Sequence, residues 1–362
     1  MRILVTGGPV HAHLDPVKII TNRFRGGLMA ELAEELSYHA EVTYLTAKGA
    51  ELPTGSVDLR IITHRGIHDY LDLVTKMAKD FDAVVLGAAV ANLIPAVEMT
   101  TKFPSHNYKP GDVIPINFTI APRIVDEVKK AAPWTKLFAF KLLTNVQEEE
   151  LISAAYGIVL EAKATAVFAN DTNDLSRKLI VTRERGVLDR KAGDLKKFIL
   201  ECAADKYYTT TVDQEAPRST ANPIWALMFK RFESEVRSHE KMFETTPEGY
   251  VFGTIAVRGI NGSFLTTGRG KNELDDRVYV KVVDHTFREV ITEGRKATLN
   301  APLLDMIFKK TTCQSIIHWH RQVPGAPTLP YAPAGTVRDA ERVIPQEDIF
   351  NIEGHGAFLI KY

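Results

Sequence analysis

The chain has 362 residues, 45 Lys and Arg against 45 Asp and Glu, and a 45% hydrophobic content. At roughly 100–200 residues per domain, that length allows two or three domains with cores of their own. Zero formal net charge excludes the basic excess of a nucleic-acid binder, and a mean hydropathy of −0.10 without any run of ~18 apolar residues excludes a membrane-spanning helix. Cys202 and Cys313 have no partner at motif spacing, so neither a disulfide framework nor a cysteine metal site is expected. The opening MRILVTGG enters a strand pattern directly, which predicts no signal peptide and a soluble, cytoplasmic protein.

In chain order, Ile3–Val5 has the pattern of a buried strand and leads through Gly7-Gly8 towards a helix over Gly27–Leu36. Glu41–Leu45 and Leu59–Ile62 follow as strands, then a helix over Tyr70–Ala78, then a strand over Asp82–Leu86 running into small residues at Gly87–Ala91. Leu137–Leu142 and Ala164–Ala169 repeat the strand pattern around a helix at Glu148–Ala162, and the charged run Arg190–Lys197 reads as a solvated helix face. Short apolar strands alternating with helices predict a doubly wound, Rossmann-like α/β domain with a mostly parallel sheet, over residues 1–210. The polar stretch from 211 to 223 lacks periodicity and reads as a linker.

From 224 to 362 a second, smaller α/β domain is expected. It opens with a helix over Ile224–Phe243, on which Trp225, Phe229 and Phe232 recur at core or interface spacing. A strand over Val251–Val257, a turn at Asn261-Gly262 and a strand over Phe264–Thr267 form a hairpin signal. Val278–Val283 is a further strand, Pro302–Lys309 a helix, and Ser315–His320 a strand ending in histidines.

Two regions carry chemistry. At the N-terminus, the Gly7-Gly8 pair frees backbone N–H groups to approach a phosphate, although strand–Gly–Gly–helix also describes a tight turn. A second Gly pair opens the next helix beside Lys18, Arg23 and Arg25, which makes an anion site. At the C-terminus, His318 and His320 stand at i and i+2 of a strand, so both imidazoles face one side, and His355 precedes a glycine at the start of another strand. Three imidazoles suit a zinc ion with one open position. His11-Ala12-His13 has the same form in a Gly/Pro loop without a third ligand nearby, and reads as loop polarity.

The N-terminal motifs resemble the phosphopantothenate–cysteine ligases. The likeness rests on Leu14-Asp15-Pro16-Val17-Lys18-Ile19-Ile20-Thr21-Asn22, AAVAN at Ala88–Asn92, KFPS at Lys102–Ser105, FKLLT at Phe140–Thr144 and FAND at Phe168–Asp171, in that order. It implies a ligase of coenzyme A biosynthesis that joins 4′-phosphopantothenate to cysteine through an acyl-nucleotidylate, using ATP or CTP with Mg²⁺. By the same resemblance Asn22, Lys18 and Lys141 are the catalytic residues. Gly7, Gly8, Ala88, Ala89, Asn92, Phe140, Asn170 and Asp171 would hold the nucleotide. The sequence departs from the family at Phe24-Arg25-Gly26-Gly27, where the bacterial proteins have Ser-Ser-Gly-Lys, at Asn92 in place of Asp, and at Lys163, which lies one position closer to the FAND motif.

The C-terminal part resembles class II aldolase/adducin domains through GTIAVR (Gly253–Arg258), NGSFLTTG (Asn261–Gly268), HWH, YAPAGT (Tyr331–Thr336) and EGHG (Glu353–Gly356). That resemblance implies Zn²⁺ on His318, His320 and His355, with Thr267 and Gly268 near a substrate phosphate. The family's acid/base Glu is missing where Leu299-Asn300-Ala301-Pro302 stands, leaving Glu353 and Asp305 as candidates by elimination. The expectation is therefore a fused ligase, with a zinc-dependent aldolase-type lyase or a non-catalytic nucleotide- and zinc-binding scaffold as rivals. Small-molecule substrates, no nucleic-acid or membrane partner, and a homo-oligomer complete it.

Overall fold

The computed structural model describes residues 1–362 apart from 56–58, 215–222 and 247–248. The chain divides into two compact units. One comprises Met1–Arg183 with Asp189–Ala204, and the other Glu184–Leu188 with Asp205–Tyr362.

In the first unit the strands are β1 (Arg2–Thr6), β2 (Glu41–Ala47), β3 (Arg60–His64), β4 (Ala83–Leu86), β5 (Lys136–Leu143), β6 (Ala166–Asp171), β7 (Arg177–Thr182) and β8 (Val187–Lys191). They form one sheet in the order β8-β7-β6-β5-β4-β1-β2-β3. From β6 to β3 every pairing is parallel, and β7 runs antiparallel to β6. The chain winds outward from β1 in both directions, so the strand order reverses between β1 and β4. A crevice opens at such a point beyond the strands' C-terminal ends.

The central strands are apolar throughout because both sheet faces are covered: Ile3, Leu4 and Val5 on β1 and Val84 and Val85 on β4 are fully buried. Helix α1 (Gly27–Ser37) buries Met29, Leu32, Ala33 and Leu36, the i, i+3, i+4, i+7 stripe of an amphipathic helix. It packs with α5 (Leu195–Ala204), while α2 (Ile67–Met77) packs with α3 (Ile124–Ala131). Burying each of these large aliphatic side chains is worth ~1.5–3 kcal/mol. The run Arg190–Lys197 is not one helix face. It ends β8, passes through a 3₁₀ turn at Ala192–Asp194 and enters α5, because the Asp194 carboxylate accepts the Lys191 N–H at 3.2 Å and closes the turn.

The second unit is built on β9 (Thr209–Asp213), β10 (Thr254–Arg258), β11 (Phe264–Thr267), β12 (Arg277–Asp284), β13 (Glu289–Glu293), β14 (Ser315–Trp319), β15 (Thr328–Leu329), β16 (Ile349–Ile352) and β17 (Gly356–Lys361). Their order is β9-β13-β12-β11-β10-β14-β17-β16-β15, antiparallel except at the two edge pairings. Residues 211–213, expected at the start of the linker, belong to β9, because their backbone pairs in parallel with β13. The linker's 215–222 lie outside the described residues.

Alternation along the strands serves two cores. Ile255, Val257 and Ile317 meet Trp225, Met228 and Phe232 of helix α6 (Pro223–His239), where Phe229 also packs. Ala256, Ile316, Phe358 and Ile360 meet Leu304 and Ile307 of helix α7 (Ala301–Lys310). The Asn261-Gly262 turn has positive φ at both residues, 52° and 78°, as a right-twisted two-residue hairpin requires. The strand expected over Val251–Val257 breaks at Gly253, whose φ of 111° takes the chain past the Phe243 ring and the His318 carbonyl. A Cβ at Gly253 would lie 2.6 Å from that carbonyl oxygen.

Candidate functional site

In the first unit Gly8, Ala88–Val90 and Asn22 meet at the strand-order reversal. Pro9 and Val10 pair with Ala89 and Val90, and the Ala89 N–H donates to the Gly8 carbonyl at 2.9 Å. The Thr6 hydroxyl accepts from the Tyr70 hydroxyl at 3.0 Å and from the Ala88 N–H at 3.3 Å. Exposed Asn22 reaches the same place, its side-chain amide donating to the Val90 carbonyl at 2.9 Å. An amide NH₂ carries two donors, so this bond fixes the group and leaves a second N–H for a ligand. Lys141 faces Ala169 in register on β5 and β6, and Asn170 and Asp171 end β6.

One amide of the glycine pair is already spent within the fold. The Gly7 N–H donates to the Leu45 carbonyl at 3.0 Å, and its carbonyl accepts the Thr46 hydroxyl at 3.0 Å. A Cβ at Gly7 would collide with the Tyr44 ring and lie 2.6 Å from the Met29 Cβ, so this glycine permits α1 to approach the sheet. Gly8, at φ 74°, lies against Gly26, the N-cap of α1.

Two charged candidates are already engaged. The Lys18 ammonium pairs with Asp15 at 3.2 Å and lies 5.6 Å from the centre of the Phe103 ring. Asp15, buried, also accepts from the N–H groups of Val17 (2.7 Å), Lys18 (2.6 Å) and Phe103 (2.9 Å). Those donors, led by Phe103, hold its carboxyl far below the usual carboxylate range. Asp15 is thus the knot of the loop carrying Lys18 and Asn22, a role its Asp-Pro step could have signalled. Asp171 likewise accepts from the Val146 N–H at 3.1 Å and the Asn173 N–H at 2.8 Å. His11 contacts the Thr21 hydroxyl and His13 the Arg65 carbonyl, so the two diverge. Buried His64, which the sequence pattern did not single out, has no partner on either ring nitrogen. Burial, followed by His11, lowers it to about 4.

In the second unit His318, His320 and His355 converge, with one ligating atom from each lying within 4.8 Å of the others. His318 sits on the α7 face of β14, its ring stacked on Phe358 at 4.2 Å. Its Nδ1 lies 3.0 Å from the Ala357 carbonyl, which can only accept, so the proton sits on Nδ1 and Nε2 is left buried, bare and unpartnered. His355 Nδ1 is likewise orphaned, and the His320 ring bonds the Glu184 backbone. Gly356, at φ 115°, lets this loop close on His320. Burial above all, then the neighbouring imidazoles, pushes His318 and His355 well below the ordinary histidine value. Burial and Lys271 take His320 down to about 4. Neutral imidazoles with buried, bare ring nitrogens brought together, two of the rings held by backbone carbonyls, are the donor set zinc takes. Tetrahedral Zn–N bonds place nitrogens about 3.4 Å apart, so the rings need only a small inward movement.

Among the described residues no carboxylate joins this set. Asp305, a candidate base, is taken by His285 Nε2 and the Lys309 ammonium, both at 2.7 Å. Lys271, which the sequence pattern did not single out, is buried, and its ammonium donates to the Gly253 carbonyl at 2.6 Å. Burial lowers it to about 8.

Residues 1–201 match the family described as the DNA/pantothenate metabolism flavoprotein C-terminal domain. The chain belongs to this family. It is 32% identical over 213 residues to the coenzyme A biosynthesis bifunctional protein CoaBC of Thermococcus kodakarensis, covering 55% of this chain and 51% of that protein. The chain spans about half the length of the curated relatives it matches. A DNA/pantothenate metabolism flavoprotein from Streptococcus pneumoniae, 24% identical, superposes with a TM-score of 0.50 over 56% of this chain and 97% of that one, and shares the fold. An L-fuculose 1-phosphate aldolase, 14% identical, gives a TM-score of 0.28 over 39% of this chain and 76% of that one. No described helix is long and apolar enough to cross a membrane.

Proposed function

We propose that the first unit is a nucleotide-dependent ligase that joins 4′-phosphopantothenate and cysteine in coenzyme A biosynthesis. The observation that carries it is Asn22, oriented at 2.9 Å on the Val90 carbonyl at the strand-order reversal, with a second amide donor to spare. Family membership and the likeness to CoaBC support the reading. The phosphopantothenate carboxylate attacks the α-phosphate of ATP or CTP, an O–P bond forms, and pyrophosphate leaves. The cysteine amine then attacks the acyl carbon, the C–N bond forms, the C–O bond to phosphate breaks, and the amine proton passes to solvent as nucleoside monophosphate departs. The free N–H of Asn22 stabilises the charge that grows on the acyl oxygen. Lys18 and Lys141 offset phosphate charge, Lys18 with the Asp15 pairing as its resting position, and Mg²⁺ enters with the nucleotide. Ala88, Ala89, Asn92, Phe140, Asn170 and Asp171 line the nucleotide's side of the crevice.

The decisive experiment measures pyrophosphate release with CTP and with ATP, each with Mg²⁺, 4′-phosphopantothenate and cysteine. Release that depends on the pantothenate acid supports the ligase and names the nucleotide. Silence in protein that binds nucleotide overturns it and points to the Phe24–Gly27 substitution.

A second reading concerns the second unit and rests on the orphaned nitrogens of His318 and His355. The three histidines would hold Zn²⁺, which supplies Lewis acidity to a bound oxygen when present. The unit's class II aldolase-like motifs make a zinc-dependent lyase the alternative activity, and a zinc-holding scaffold the non-catalytic one. Of the proposed division into 1–210, 211–223 and 224–362, the first boundary moves, since residues 205–213 belong to the second unit, and the protein is proposed to be a cytoplasmic homo-oligomer.

A further inference from the structure

Among the described residues, Lys271 is a buried cation with no carboxylate in hydrogen-bond contact, Asp276 acting on it only through space. Its backbone is pinned where the Val251 N–H donates to the Lys271 carbonyl at 3.0 Å, and its side chain runs inward to the Gly253 carbonyl. One of three ammonium donors is thereby paired, and no described carboxylate is hydrogen-bonded to the group. Gly253 adjoins Thr254, which stands opposite His318 across β10 and β14, on the same sheet face. From Thr254 a path of buried polar groups continues. Its hydroxyl lies 3.1 Å from that of Thr298 and accepts from the Asn300 amide at 3.4 Å, and the Thr298 N–H donates to the Thr267 carbonyl at 3.1 Å. Along this path the Thr267 hydroxyl and the Asn300 side-chain oxygen are buried without partners.

A buried ammonium is costly unless an opposite charge meets it, and orphaned buried polar atoms mark where a ligand's own polar atoms fit. We infer that Lys271 is the anion-binding residue of the histidine pocket, holding an oxyanion group, phosphate or carboxylate, of a ligand whose other end faces His318, His320 and His355. This rests on the metal reading of those histidines. At pH 7 the amine remains charged, since burial brings it no lower than about 8.

The test uses the full chain stripped with chelator and loaded with Co²⁺, whose visible spectrum reports the ion's surroundings. Inorganic phosphate and acetate are titrated separately into wild type, Lys271→Met and, as a second variant, Lys271→Gln. The expected result is a saturable spectral change with at least one anion in wild type, weakened tenfold or more in both variants while cobalt stoichiometry stays at one per chain. The arm that saturates at lower concentration identifies phosphate or carboxylate. Equal anion affinity in wild type and variants, or no anion response in cobalt-loaded wild type, overturns the assignment of Lys271. No cobalt uptake in wild type overturns the metal reading and the inference with it.

Discussion

Replacing Asn22 with Ala separates the two halves of the proposed reaction. Structurally the change deletes one exposed hydrogen bond, the 2.9 Å contact to the Val90 carbonyl. A bond of that kind contributes about 0.5–1.5 kcal/mol at most, and exposure places this one at the low end. Catalytically the change removes the donor facing the acyl oxygen, and loss of one such donor costs ~10²–10³ in rate, or ~2.7–4 kcal/mol. The effect on chemistry therefore exceeds the effect on the fold by a wide margin. In a rapid-quench experiment with α-³²P-labelled nucleotide, the variant should release its first equivalent of pyrophosphate within roughly threefold of the wild-type rate. The acyl-nucleotidylate should accumulate, and ligated product should form about 100- to 1000-fold more slowly. Pyrophosphate and product falling together, or product formation unchanged, would refute the role given to Asn22.

Three further outcomes follow from named contacts. Gly7→Ala should lower the urea midpoint by an amount equivalent to ~1–3 kcal/mol, because its Cβ meets Tyr44 and Met29, and an unchanged midpoint would mean α1 shifts freely. His318→Ala should reduce bound zinc, read by atomic emission after dialysis, from one per chain to less than about a tenth, since two imidazoles are too few to retain the ion. In metal-free protein, Lys271→Met should raise stability at pH 7. Below about 8 the folded lysine carries the full burial penalty, and between about 8 and 10.5 the unfolded chain binds more protons, so wild-type stability rises with pH across that window. The span corresponds to ~3 kcal/mol, and the advantage of Lys271→Met should close by pH 10.5; an equal gap at pH 7 and 10.5 would contradict it.

Much of the architecture was legible along the chain. Apolar runs on β1 and β4 announce strands covered on both faces. The Met29, Leu32, Ala33, Leu36 spacing announces a helix, and Asn261-Gly262 announces its hairpin. The pairing of His318 with His320 was equally local, because side chains alternate across a strand with a period of two. The β7–β8 pairing was not legible, since its strands follow β6 without an intervening helix, and neither was β9, whose Thr-rich run becomes a strand only by finding an edge beside β13.

What the sequence determined by itself is the order of elements and the inventory of chemistry: Asn22, the glycine pairs, and His318, His320 and His355. Partners across long sequence separations were decided only by tertiary structure. It gave the Gly7 N–H to Leu45 and the Lys18 charge to Asp15, brought His355 against His318 from 37 residues away, and buried Lys271 on the carbonyl of Gly253. The physical reason is that periodicity reports which face a residue occupies, a local property. Whether a donor is free or spent, and whether a charge is solvated or buried, depends on which distant groups packing places beside it.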